Sequence, residues 1–334
     1  MSLKYGKPLP SEFAVGYGCR RMHGQDTLPP RIGNVFWRLL PKSERGHDHV
    51  GALHCLAKHC SVPFWDLVFG HTVFPALRAI SRGVAEEFTE DALVGKGSLL
   101  HALLPSGPQY CLKCIEEDLA FWELTYWRTM HQLPGTGHCP KHLCRLVSAE
   151  SPHALGAQPH HLKTVYLQDS KPTQLETRVV ALWSGLLERR RPIPYLRARA
   201  VLAAGLDAQN LRLHSQNFLD KLSAQSDPAW LNTHVRPNIF KRRDIRARFD
   251  TWSFVLALAL VYEDADLVLT LLSGPVSHRE PIGTFTPTAD VALDAFIDGM
   301  PLHEAFALAG SKGSREIEVA LRQWAMEARN SIKS

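Results

Sequence analysis

Two pairs of metal-ligating residues stand out in the chain, Cys111-x2-Cys114 and Cys139-x2-His142, with twenty-four residues between the pairs. A two-residue gap lets both side chains of a tight turn face one ion, and two such turns complete a tetrahedron of the kind zinc favours. Three thiolates and one imidazole leave no coordination position for water, so the set predicts a structural zinc rather than a catalytic one. Cys144 and His138 flank the second pair without the two-residue gap and rank behind it as ligands. Cys55 and His59, four apart, fit an amphipathic helix better than a second site, and Cys19 reads as a small buried residue.

No other pattern asks for chemistry. His303-Glu304 lacks the second histidine of a zinc-protease helix, Gly95-Lys96 lacks the rest of a phosphate-binding loop, and the deaminase arrangement is absent. Glu116, Glu117 and Asp118, directly behind Cys114, read as the solvated first turn of a helix, where the dipole favours negative charge. The expectation is therefore a protein that is not an enzyme.

The elements that must hold the cysteines are mostly helical. Val50, Leu53, Leu56, Ala57 and Cys60 recur at three- and four-residue spacings, and Phe64, Leu67 and Val68 follow Ser61, which reads as an N-cap. Residues 151–175 are polar and proline-containing, as a linker would be. Beyond them LETRVVALWSGLL, AVLAAGL and SQNFLDKLSAQ carry helical periodicity, and Phe254 to Leu272 reads as one helix in the middle of a core, ended by Gly274-Pro275. The fold class expected is mainly α, in four parts: a helical N-terminal domain with helix-turn-helix character (1–104), a small zinc-ribbon module (105–150), the linker (151–175), and a helical C-terminal domain (176–334).

The 334 residues carry 38 basic and 33 acidic side chains, a formal charge of only +5, so nucleic-acid binding would have to come from local clusters. ERRRPIPYLRARA (188–200) and FKRRDIRARF (240–249) are such clusters, and the latter makes Arg242, Arg243 and Arg246 candidate phosphate contacts. Near the C-terminus, helical pieces separated by Gly299 and the Gly310-Ser311-Lys312-Gly313 turn suit a helix-turn-helix. Its second helix, Ser314 to Arg329, would present Arg315 and Arg322 to DNA, and a plain helical hairpin is the competing reading. The apolar run from Phe254 to Tyr262 is about half of a membrane span. With no apolar leader, a bacterial cytoplasmic protein with reduced cysteines is expected.

Trp127-Arg128, His131-Gln132-Leu133-Pro134-Gly135 and Cys139-Pro140-x-His142, behind a Cys-x2-Cys, resemble the TniQ family, which includes the TnsD-type target selectors of Tn-seven-like transposons. Pro10-Ser11-Glu12 and His71-Thr72-Val73-Phe74-Pro75 resemble that family's N-terminal segment, so the likeness covers roughly residues 8–150. Leu112 and Leu143 depart from the family's usual proline and glycine, and no cysteine beyond Cys144 supplies the second zinc site of some members. The resemblance implies an adaptor that recognises a DNA site, or a CRISPR effector complex bound to one, and recruits a TnsC/TniB-like AAA+ regulator. It further implies structural zinc, no chemistry of its own, and in some members a homodimer. A zinc-stabilised sequence-specific DNA-binding regulator without a transposition partner is the alternative.

Overall fold

The computed structural model describes residues 7–22, 49–81, 88, 90, 107–162, 170–211, 216–235, 251–273, 319, 322–323, 326–327 and 330. Arg242, Arg243, Arg246, Arg315 and most of the expected C-terminal helix-turn-helix lie outside them. The fold is mostly helical, and the chain divides into two compact units, Met1–Pro75 with Phe88–Pro172 and Ala76–Glu87 with Thr173–Ser334.

In the first unit, α1 (Ala14–Met22) is followed by α2 (His49–Cys60) and α3 (Phe64–His71); the single turn α4 (Phe74–Leu77) comes next, where the chain passes from the first unit to the second. α2 and α3 pack on each other across a three-residue turn. Their periodic residues Val50, Leu53, Leu56, Ala57, Leu67 and Val68 are all buried. Ser61 is not the cap expected of it: it sits at φ 52° inside the turn, and α3 begins behind Pro63, which offers no side-chain acceptor. The left-handed residue is spent on the turn between the helices, and α3 starts at Phe64 without a side-chain cap.

α5 (Leu112–Trp122) follows β2 (Gln109–Tyr110), which pairs antiparallel with β3 (Val147–Ser148), Tyr110 opposite Val147. The N-terminal segment is sewn into the same unit by backbone bonds: Phe13 N donates to Trp127 O at 2.6 Å and Thr129 N to Ser11 O at 2.9 Å. Glu12 fixes that segment. Its buried carboxylate accepts from Leu9 N at 2.8 Å and from Arg20 Nε and Nη2 at 2.9 and 2.7 Å. Residues 152–156 and 159–161, inside the stretch that reads as linker, form short 3-10 turns against this unit. Leu155 is buried, and Ala157 O accepts from the Trp127 indole at 2.9 Å. A polar composition hid one apolar anchor and one backbone acceptor.

The second unit is built on α6 (Gln174–Leu187), opened by a full capping box in which Thr173 and Glu176 satisfy each other's backbone donors. Its apolar face, Leu175, Val179, Leu182, Trp183 and Leu186, is buried. α7 (Tyr195–Ala208) follows β4 (Ile193–Pro194), which pairs in parallel with β1 (Ile80–Ser81). Then come α8 (Gln216–Gln225) and α9 (Pro228–His234), the latter capped by Asp227. The apolar stretch expected as one helix is two, α10 (Thr251–Val261) and α11 (Ala265–Ser273). Asp264 starts the second, its Oδ1 accepting from Asp266 N at 2.8 Å and Leu267 N at 3.3 Å, and Tyr262 O is taken by Arg178. Every residue of α10 is buried, as its all-round apolarity predicts.

Candidate metal centre

Cys111 is the N-cap of α5, in extended conformation (φ −109°, ψ 129°), and its Sγ accepts from Cys114 N at 3.4 Å. One helical turn thus aims Cys111 and Cys114 at the same point, where the orphan N–H groups of the helix start favour negative sulfur. The second pair lies on a tight loop closed by Cys139 N donating to Cys144 O and Leu143 N to Cys139 O, both at 2.8 Å. Leu143 takes φ 54°, in the left-handed region that favours glycine, and a leucine is accommodated there.

The two turns bring Cys111, Cys114, Cys139 and His142 together with all four donor atoms within 4.8 Å of one another. Cys114 and Cys139 Sγ are 3.7 Å apart, and His142 Nδ1 lies 3.4, 3.4 and 3.5 Å from Cys111, Cys114 and Cys139 Sγ. A tetrahedral ion with the bond lengths of zinc would separate its ligands by roughly 3.5–3.8 Å, so the donor set fits one metal ion without rearrangement. Cys144 Sγ stands just outside the set, 3.3 Å from Cys111 Sγ. Among the described residues no second group of ligands gathers; His54, on α2, instead stacks on Phe64 and meets Glu90 at 3.1 Å.

The surroundings hold the ligands in register. His142 Nε2 is 3.0 Å from Glu117 Oε1, and Lys141 Nζ is 2.6 Å from Glu117 Oε2. Lys141, and then His142, holds the Glu117 carboxyl below its ordinary range. A carboxylate on the outer nitrogen fixes the imidazole so that Nδ1 faces the metal. The fully buried His131 hydrogen-bonds to Cys139, and burial pushes its own pKa down while the Cys139 thiolate opposes the shift. Hydrogen bonds from Cys111 and Cys114, with His131 adding to them, pull the Cys139 thiol well below its ordinary value. The same contacts push the Cys111 and Cys114 thiols up, so those two protons are the ones a metal has to displace.

Three thiolates around a divalent ion leave one net negative charge. Arg128 is the nearby counter-charge: its Nη2 donates to Asp118 at 2.6 Å, its guanidinium lies 4.7 Å from the centre of the Tyr126 ring, and its field reaches Cys114 and Cys139. Burial lifts the Asp118 carboxyl to about 6, with Arg128 opposing, so it is ionised at neutral pH. Asp118 is thus not a solvated residue of the helix start; it lies in the middle of α5 on the buried face, because α5 begins at Leu112 rather than behind Cys114.

The signature between the ligand pairs is scaffold. Gln132 grips the Gln109 backbone, accepting from its N at 3.0 Å and donating to its O at 2.8 Å. Leu133 is buried, and Gly135 turns the chain at φ 74°. Trp127 packs so closely on α1 that a β-carbon on Gly16 would lie 2.8 Å from its Cδ1. Arg322, a candidate DNA contact, is exposed in a helical segment.

Glu117, Asp118 and Glu12 are the functional side chains that spacing failed to single out. For Glu117 one signal existed: it stands three residues after Cys114, on the same face of a helix. For the pairing of Asp118 with Arg128, or Glu12 with Arg20, no local pattern announces the partner.

Among the described residues no helix is long and apolar enough to cross a membrane. No curated protein matches the chain. Residues 6–146 match the family model described as TniQ, a span that contains the whole Cys111–His142 centre and the Glu12 clamp. Over these residues, somewhat less than half of its length, the chain therefore carries a domain similar to TniQ.

Proposed function

We propose that this chain is a target-selection adaptor: it recognises a DNA site, or a CRISPR effector complex already bound to DNA, and recruits a TnsC/TniB-like AAA+ regulator to it. The observation that carries the reading is the TniQ match over a centre whose four donor atoms gather within 4.8 Å of one another and whose signature residues are spent on internal hydrogen bonds. The ion is zinc, held by Cys111, Cys114, Cys139 and His142, and its task is to fix the module that the N-terminal segment and α1 lean on. Partner recognition then falls to the surface and to the second unit. There Arg242, Arg243, Arg246, Arg315 and Arg322 contact phosphates, a role supported by the clustering of the first three in the sequence.

The adaptor reading is tested by co-purification with a purified AAA+ regulator, with and without target DNA, beside a mobility shift over duplex DNA at two salt concentrations. Capture of the regulator is the expected outcome. DNA binding without any capture would overturn the adaptor in favour of a stand-alone regulator.

A further inference from the structure

We propose that Cys144 is a redox partner for Cys111, and that a disulfide between them is a built-in exit from the metal-bound state. The inference rests on the reading of Cys111 as a zinc ligand. A fifth sulfur adjoins the four-donor set: Cys144 Sγ lies 3.3 Å from Cys111 Sγ, closer than Cys114 lies to Cys139. Cys144 is half-buried, whereas Cys111, Cys114 and Cys139 are buried, so it is the cysteine at the centre most open to solvent.

Its position is fixed by the backbone. Cys144 O accepts from Cys139 N at 2.8 Å, and Leu143 at φ 54° swings the chain so that the residue behind the ligand histidine turns back to the centre. Bringing the two sulfurs to bonding distance takes a shift of little more than an ångström, since a disulfide spans about 2.05 Å. A sulfenic acid formed beside a second thiol condenses with it to a disulfide.

The step balances with a hydroperoxide as oxidant. The Cys144 thiolate attacks one peroxide oxygen, breaking the O–O bond and releasing hydroxide, and becomes a sulfenic acid. The Cys111 thiolate then leaves the zinc, attacks the Cys144 sulfur and expels a second hydroxide, forming the S–S bond. With hydrogen peroxide, the two sulfurs lose two electrons in all, and the two hydroxides become water by taking the Cys144 thiol proton and one proton from solvent. Zinc keeps three protein ligands, and its hold on the module weakens.

The test uses the full zinc-loaded chain treated with hydrogen peroxide. A chromogenic chelator follows zinc release, and peptide mass spectrometry follows the cross-link. The wild type is expected to release zinc severalfold faster than Cys144→Ser, to yield a Cys111–Cys144 cross-linked peptide, and to recover zinc on treatment with dithiothreitol and added zinc. Equal release rates in the two proteins, or a cross-link joining other cysteines, would overturn the proposal. So would loss of zinc from untreated Cys144→Ser, which would make Cys144 a ligand. Cys144→Ala serves as the second variant if the serine protein folds poorly. Absence of zinc from the untreated wild type would count against the zinc assignment itself, and the cross-link would still report on the thiol pair.

Discussion

His142 presents Nδ1 to three sulfurs and holds Glu117 with Nε2, at 3.0 Å, so the carboxylate one helical turn beyond Cys114 decides which imidazole nitrogen faces the ion. Replacing an outer-shell carboxylate of this kind lowers metal affinity by about 10–100-fold. Glu117→Ala should therefore retain zinc at saturation and lose it that much more readily in competition with a chromogenic chelator. Unchanged competition would show that the Glu117 contact orients nothing.

Removing a ligand has a larger effect. Structural zinc contributes on the order of 10 kcal/mol in small domains, comparable to a whole domain's stability. Cys114→Ser should abolish stoichiometric zinc by elemental analysis and unfold the first unit, seen as loss of protection in hydrogen exchange over residues 107–162. Retention of both zinc and melting temperature would refute the ligand assignment.

Asp118 and Arg128 form a largely buried pair, with side-chain exposures of 4% and 22%. Truncating one partner leaves the other charge buried, and such losses run at about 3–5 kcal/mol. Arg128→Met should destabilise the protein by that order in urea unfolding. Arg128→Met with Asp118→Leu should recover much of the loss, because no orphan carboxylate remains. If the double variant were no better than the single, the guanidinium would matter for the thiolates rather than for Asp118.

Gly16 faces Trp127 inside α1. A methyl group there meets Trp127 Cδ1 at 2.8 Å and Cβ at 3.3 Å, and the indole is pinned by its bond to Ala157 O. Overpacking of this kind costs about 1–3 kcal/mol despite alanine's better helix propensity. Gly16→Ala should lower the melting temperature, whereas Gly70→Ala, with open space around its missing β-carbon, should not.

His71 ends α3, and its Nδ1 is 2.9 Å from Glu12 O, to which it donates. Burial pushes its pKa down, with Glu12 opposing. The folded state therefore binds this proton less readily than the unfolded chain does. Stability from this source is present above the unfolded histidine value of about 6.5 and is lost as pH falls through it. Melting temperature measured from pH 7.5 down to 5.5 should fall more steeply for the wild type than for His71→Phe. Acid loss of metal is common to both proteins and cancels in the difference. Parallel profiles would mean that His71 carries no such linkage.

Much of the centre could be read from the chain alone, because metal ligands in turns are local. Two residues between Cys111 and Cys114, and two between Cys139 and His142, fix each pair's geometry whatever the rest of the chain does. The same locality made the helices of 49–71 and 174–187 legible from their periods.

What the spacing could not contain is pairing across distance. The bond of Glu12 to Arg20 and of Arg128 to Asp118, the strand-like contact of residues 11–13 with 127–129, and the packing of Leu155 under a polar stretch all depend on where a turn elsewhere sends the chain. The break between α10 and α11 has the same origin: Arg178, more than eighty residues upstream, takes the Tyr262 carbonyl and Asp264 caps the next helix, so an apolar run long enough for one helix becomes two. The sequence by itself determined the candidate ligand set, the helical class and the family likeness, since each is written in short-range spacing. Only the tertiary structure decided that Arg128 and His131 serve the centre from inside and that Glu117 orients His142. It also brought a fifth sulfur, Cys144, beside Cys111, because burial and charge pairing are properties of the assembled chain rather than of any segment.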